Sequence, residues 1–264
     1  MARNLKSPIK ANPLRQPGQS IREQQNDLLF DKLFPLGTVI LVLWLVAGFE
    51  WMWMFRGVKP DPLYLTVFAG LITLYGLLRS LPLLRRLKYL QSGYKGERAV
   101  GEYLDRLRVF GYRVYHDVPG EGGNIDHVII STRGIYTIET KTRSIPAKGQ
   151  CTILYDGETV SLNGGPADSA PIVQARAQAA HLKRLLKEIT GRQLAVRPLV
   201  VYPGWHVNEA GAARESAVWV LSANGLYQWI EGEPETLPAE AVRLAASQLA
   251  AYIRKQKHSG NRMR

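Results

Sequence analysis

Residues 125–141 read IDHVIISTRGIYTIETK. β-Branched and aromatic residues fill two seven-residue runs, Ile125–Ser131 and Ile135–Lys141, and Thr132-Arg133-Gly134 breaks them as a turn. The spacing predicts two neighbouring strands. In the second, Ile135, Thr137, Glu139 and Lys141 point to one face, and Tyr136, Ile138 and Thr140 to the other. Glu139 and Lys141 are then same-face neighbours roughly 6–7 Å apart. In the first, Asp126 shares a face with Val128 and Ile130.

Reading outward, Gly96–Arg108 is predicted to be helical, with Val100, Leu104 and Leu107 as its apolar stripe. A strand over Tyr112–Val118 leads through the glycine-rich turn Pro119–Asn124 into the central pair. Two short strands follow, Thr152–Tyr155 and Thr159–Leu162, joined at Asp156-Gly157. Pro171 opens a helix to about Ile189, as proline in a first helical turn does. Arg197–Tyr202 and Ala217–Leu221 are strand-like, and Pro238 starts a last helix to about Lys255. Helix, strands, helix, strands predicts an α/β fold with a mixed central sheet and flanking helices.

The same pattern carries candidate chemistry. Two carboxylates on adjacent strands can share a divalent cation through oxygen ligands. A lysine beside them can hold an attacking water while the metal offsets charge on a phosphodiester. The residues can equally form a strand-end ion pair and a turn aspartate. Glu97 lies three residues before Val100 and seven before Leu104, on the apolar stripe of its helix. A carboxylate facing a core needs a partner there.

Ahead of this soluble pattern lie two apolar runs. Leu36–Phe55 is twenty residues with one charge, Glu50, placed beside Trp51 and Trp53 as at a headgroup interface. Leu63–Leu78 follows, extending to Leu84 if Arg79 snorkels. Twenty residues span about 30 Å, the thickness of a bilayer's hydrocarbon core. Arg56–Pro62 is too short for anything but a hairpin connection. Its flanks carry Arg3, Lys6, Lys10, Arg15, Arg22 and Lys32 before, and Arg79, Arg85, Arg86, Lys88 and Lys95 after, against Arg56 and Lys59 in the loop. That bias places both termini on the cytoplasmic side, as in a bacterial inner membrane.

The 264 residues carry 34 Lys+Arg and 22 Asp+Glu, a net charge of +12. Of this excess +8 lies at or before Lys95, around the apolar runs, and +4 beyond it. Topology therefore accounts for most of the charge. Cys151 is the only cysteine, which excludes an intramolecular disulfide and argues against a cysteine-based zinc site. His116, His181, His206 and His258 show no metal-ligand spacing, and His127 alternates to the face opposite Asp126.

In order, Gly96-Glu97, Gly101, Gly123-Asn124-Ile125-Asp126-His127 and Gly134-Ile135-Tyr136-Thr137-Ile138-Glu139-Thr140-Lys141 resemble the nuclease-related domain, NERD. That family is placed in the restriction-endonuclease-like PD-(D/E)xK superfamily. The resemblance covers about residues 93–205. It implies that Asp126 is the metal-binding aspartate, Glu139 and Lys141 the acidic-x-lysine pair, and Glu97 the first-helix glutamate. Gln174 matches a glutamine at the start of the following helix, and Ile125 stands where the superfamily has proline. Mg²⁺ or Mn²⁺ held by Asp126, Glu139 and the carbonyl of Thr140 is implied, with DNA or RNA as substrate.

These readings divide the chain into a mobile basic arm (1–32), a transmembrane hairpin (33–84), a linker (85–92), a nuclease-related domain (93–205) and a C-terminal strand and helix extension with a basic tail (206–264). The expected function is membrane-anchored, metal-dependent hydrolysis of phosphodiesters. The alternative is a catalytically silent module of the same fold that binds nucleic acid or a protein at the membrane.

Overall fold

Strands β1 (Arg113–Val118), β2 (Ile125–Ser131) and β3 (Gly134–Thr140) pair antiparallel, with Val128 opposite both Tyr115 and Thr137. β7 (Val196–Tyr202) then adds parallel to β3, and β9 (Trp219–Ser222) parallel to β7. The result is a five-stranded mixed sheet in the order β1-β2-β3-β7-β9. Nearly every residue of β1, β2, β3 and β7 is buried, because helices cover both faces.

In the computed structural model the described residues are 14–57, 61–120, 122–145, 151–210, 213 and 216–262, with side chains to 256. Arg3, Lys6, Lys10, Lys59 and Glu121 lie outside them.

One face of the sheet packs Val114, Ile129, Tyr136 and Ile138 against Val100 and Leu104 of helix α3 (Pro62–Arg106), and against Leu226 and Ile230 of α5 (Leu226–Gly232). The other face packs Val128, Ile130 and Ile135 against Leu182, Leu185 and Leu186 of α4 (Ala170–Thr190) and Leu249 and Ile253 of α6 (Ala239–Arg262). α4 takes Pro171 in its first turn and ends on Gly191 at φ 69°, the left-handed cap that glycine adopts freely.

The chain forms two sheets where one was expected. β4 (Thr152–Tyr155), β5 (Val160–Leu162), β6 (Ala167–Asp168) and β8 (His206–Glu209) make a second mixed sheet, ordered β6-β5-β4-β8. Its Ile153, Tyr155 and Val160 share an apolar cluster with Val200, Tyr202 and Ile172. β6 is too short, and His206-Val207-Asn208-Glu209 too polar, to announce a strand by alternation.

The chain divides into two compact units, residues 20–93 and the remainder. In the first, α2 (Phe34–Phe55) and the early part of α3 pair through Trp44 Nε1 to Thr73 Oγ1 and Trp51 Nε1 to Thr66 Oγ1, both 2.8 Å. A Cβ on Gly76 would stand 2.6 Å from Ile40 Cδ1, so the missing side chain lets the helices approach. Both helices are long and apolar enough to cross a bilayer.

Two readings change. Residues 85–92, expected as a linker, lie inside α3, which runs without a break from Pro62 past the predicted start at Gly96. Within the arm expected to be mobile over 1–32, the described residues from 14 onward make specific contacts and form helix. Leu14 packs on the core, and α1 (Gln19–Asp27) and a π-helical turn (Leu28–Leu33) follow. Contacts near the candidate site hold residues 15 and 18.

Candidate active site

The β2–β3 register, with His127 opposite Ile138, brings Asp126 and Glu139 to the same end of the two strands. Backbone pairing gives way there to a side-chain bond, in which Thr140 N–H donates to Asp126 Oδ2 at 2.7 Å. Glu139 is 4% exposed. Lys141 Nζ lies 2.8 Å from its Oε1, and Gln178 Nε2 donates to its Oε2 at 2.5 Å. Lys141 Nζ also donates to Gln174 Oε1 at 2.8 Å. Gln174 and Gln178 are one turn apart on α4, so a single helix face meets the acidic-x-lysine pair at the end of β3.

Glu97 reaches the site from α3. Gly96 makes this possible, because a Cβ there would stand 1.8 Å from Thr142 Oγ1, just beyond Lys141. The Glu97 side chain is buried, and its Oε1 accepts the N–H of Gly18 at 2.8 Å. Near it, Asp117 closes β1 at φ 50°, an uncommon conformation for a residue with a side chain. Asp117 Oδ2 accepts from Arg15 Nε at 2.5 Å, and its Oδ1 from Asn124 Nδ2 at 2.8 Å.

The site's electrostatics follow from crowding carboxylates in a desolvated place. Burial, then the negative charges of Glu139 and Glu97, push the Asp126 carboxyl well above its usual range, against the Thr140 N–H and Lys141. Burial likewise pushes Glu97 up to about 8, opposed by the Gly18 N–H and reinforced by Asp117 and Glu139. Asp126, Glu139 and Glu97 repel one another, with Lys141 against the first two and Arg15 near the third. A cation would relieve that repulsion.

The donor set suits a hard divalent ion. Asp126 and Glu139 offer oxygen ligands, the kind that Mg²⁺ and Mn²⁺ take. Among the described residues no group of three or more His, Cys, Asp or Glu side chains could hold a metal by itself. Two carboxylates completed by backbone carbonyl and water match Mg²⁺, which keeps several waters.

All five expected site residues, Glu97, Asp126, Glu139, Lys141 and Gln174, thus lie in one neighbourhood, with Thr140 contributing its N–H to Asp126. Beside them a groove of about 230 Å³ is lined by Gly123, Asn124, Gln174, Gln178, His181 and Arg184 among others. His127 stays on the opposite face, where its Nδ1 is 2.9 Å from Nδ1 of His116. Sequence reasoning missed Arg15, Gly18, Asp117 and Asn124. Asn124 stood two residues before Asp126, and Asp117 followed the apolar start of its strand, but neither carried a signal of role. Arg15 and Gly18 gave none at all.

No curated protein matches the chain. The structure of Pyrococcus furiosus SfsA in complex with Ca²⁺ is a distant neighbour, with a TM-score of 0.26 at 16% identity. The likeness covers 51% of this chain and 56% of that one, little over half its length. Residues 92–203, which hold every expected site residue, match the family described as NERD, nuclease-related domain.

Proposed function

We propose that this chain is a membrane-anchored, metal-dependent nuclease that hydrolyses phosphodiester bonds of DNA or RNA. The observation that carries the reading is the convergence of Asp126, Glu139 and Lys141 at one strand end, with Lys141 Nζ 2.8 Å from both Glu139 Oε1 and Gln174 Oε1. The match of residues 92–203 to a nuclease-related domain supports it.

Asp126 and Glu139, with the carbonyl of Thr140, would hold Mg²⁺ or Mn²⁺. When bound, such an ion offsets charge on the scissile phosphate and lowers the pKa of a bound water. Lys141, held between Glu139 and Gln174, would orient the attacking water. Glu97 supports the site from α3 through its carboxyl. Gln178 fixes the second oxygen of Glu139 and so sets the direction of the first.

The membrane part of the reading rests on α2 and the early part of α3. Leu41, Trp44, Leu45, Phe49, Phe68, Leu71, Leu74 and Leu78 are exposed on them, an apolar surface that water would penalise and acyl chains would not. A two-pass hairpin returns the chain to the side it left. Residues 14–19 and 94 onward share one compact unit, as that path requires. The flanking charge puts this side at the cytoplasm, in a bacterial inner membrane.

The test is cleavage of labelled DNA and RNA by the full-length protein in detergent, with and without Mn²⁺. Ala replacements of Asp126, Glu139 and Lys141 are expected to abolish metal-dependent cleavage, and only the first two to abolish Mn²⁺ binding. A parent protein that neither cuts nor binds Mn²⁺ favours the silent nucleic-acid or protein-binding module.

A further inference from the structure

Residues 14–18 precede the hairpin and lie outside residues 92–203, yet they pack against the candidate site. Leu14 joins the cluster under β2, α4 and α6. Pro17 lies on Gly101, where a Cβ would stand 2.4 Å from Pro17 Cγ. Gly18, at φ 68°, lies against the Tyr94 ring, where a Cβ would stand 2.6 Å from Cδ2, and gives its N–H to Glu97. Arg15, 14% exposed at its side chain, pairs with Asp117, 1% exposed.

We propose that Arg15 and Gly18 are positioning residues of the candidate site, and that the N-terminal segment clasps it from across the hairpin. The inference rests on the nuclease reading and extends it to a part of the chain that the matched domain lacks. Gly18 acts directly on Glu97, aiming its carboxyl by a main-chain bond. Arg15 acts through two side chains. It holds Asp117 Oδ2, Asp117 Oδ1 holds Asn124, and Asn124 stands two residues before Asp126. The bonds from Arg15 and Asn124 stabilise Asp117 in its left-handed conformation. They also tie the end of β1 to the start of β2, which delivers Asp126 to Thr140. Arg15 also supplies the cation that buried Asp117 pairs with, close to Glu97. Gly101 and Gly18 have the same logic: each lacks the side chain that would push the clasp away.

The experiment uses the full-length protein in detergent micelles, comparing the parent with Arg15→Ala, Arg15→Lys and Gly18→Ala by hydrogen exchange and cleavage kinetics. In Arg15→Ala the amides of Asn124, Ile125 and Asp126 are expected to exchange about 10-fold faster while those of α6 keep parent protection. Its kcat should fall about 10-fold with KM little changed, as for groups that orient metal ligands. Arg15→Lys should recover most of both effects. Gly18→Ala, which must shift against Tyr94, should lower kcat while leaving Asn124–Asp126 protected. Parent-like exchange at Asn124–Asp126 in Arg15→Ala overturns the proposal. So does a loss of protection that spreads evenly through α6, which marks a mere fold tether. Exchange needs no turnover, so a parent that cuts nothing sinks the nuclease reading and still leaves the clasp decided by its amides.

Discussion

The N–H of Thr140 donates to Oδ2 of Asp126 across 2.7 Å, so the aspartate is oriented by the strand that carries Glu139. Asp126→Asn preserves the acceptor and removes the charge. Because burial and two like charges already oppose ionisation of Asp126, the exchange should leave metal-free thermal stability unchanged or raise it. Metal response should move the other way. At 100 times its Kd, Mn²⁺ is expected to stabilise the parent by about 2.7 kcal/mol through mass action, and the asparagine variant should lose that gain. Thermal melts with and without Mn²⁺ check both halves. A variant that Mn²⁺ still stabilises fully removes Asp126 from the ligand set.

His116 and His127 predict an acid-sensitive core. Nε2 of His116 is 3.1 Å from Asp105 Oδ1, so the neutral ring keeps its proton there and accepts at Nδ1 from the Nδ1–H of His127. His127 Nε2 is left as a buried lone pair with no partner among the described residues. Burial holds both rings below their ordinary pKa, and His127 well below it, with the His116 charge adding to the effect. Above the unfolded value near 6.5 both states are neutral and nothing changes with pH. Below it the unfolded chain takes up protons that the folded chain refuses, so stability falls as pH falls towards the folded values. The slope is about 1.4 kcal/mol per pH unit for each ring. The raised Glu97 and Asp126 carboxyls add an opposite slope to every variant. Denaturant melts from pH 7.5 to 5 should therefore show the histidine contribution as the difference between the parent and the double variant His116→Leu, His127→Leu, which should lose less stability on acidification.

Gly96→Ala tests the approach of α3 to the end of β3. Alanine favours a helix over glycine by about 1 kcal/mol, yet its Cβ would meet Thr142 Oγ1 at 1.8 Å and Cβ at 2.9 Å. Overpacking of that kind costs about 1–3 kcal/mol, so steric conflict should win. A lowered Tm is expected, with cleavage reduced because Glu97 moves with its neighbour. Thr142→Ala in the same chain removes the closest atom and should restore part of the loss. A single variant more stable than the parent would mean that the helix has room to spare.

Local chemistry explains which features were legible. Asp126, Glu139 and Lys141 sit on strands whose alternation fixes their faces, and the short turn at Thr132-Arg133-Gly134 fixes their register. Glu97 could be assigned because a 3.6-residue period put a charge on an apolar stripe. Arg15 and Gly18 could not, because their partners are 102 and 79 residues away and no local pattern encodes a contact of that separation. The second sheet was hidden for the same reason, since β8 joins β4 from about 50 residues further on. Prolines and scattered charges made the arm read as mobile, although two buried carboxylates hold its residues 15 and 18. Helix α3 concealed its length because the pattern changes at Gly93, from apolar on all sides to a single stripe, with no break in the backbone.

Topology is open to a direct check. Eleven flanking Lys and Arg against two in the loop predict that a cysteine placed at Lys59 is labelled only from outside intact cells. One at Arg98, exposed on α3, should react only after the membrane is opened. Cys151 is replaced first to silence the background. The same sidedness at both positions would mean that the two helices do not form a crossing hairpin.

The two glutamines of α4 should separate binding from chemistry. Gln178 donates to Glu139 Oε2, and Gln174 accepts from Lys141 Nζ. Gln178→Ala frees an oxygen of Glu139 to rotate, and partners of this kind typically contribute 10–100-fold to metal affinity or activity. Its effect is expected mainly on Mn²⁺ affinity, with cleavage recovering at saturating metal. Gln174→Ala leaves both carboxylates in place and loosens the lysine. Cleavage should fall by about tenfold at every Mn²⁺ concentration while Mn²⁺ affinity stays at the parent value. Titration calorimetry beside a cleavage assay over a range of Mn²⁺ resolves the two patterns. If Gln174→Ala shifts Mn²⁺ affinity and Gln178→Ala does not, the lysine and the glutamate have been given each other's roles.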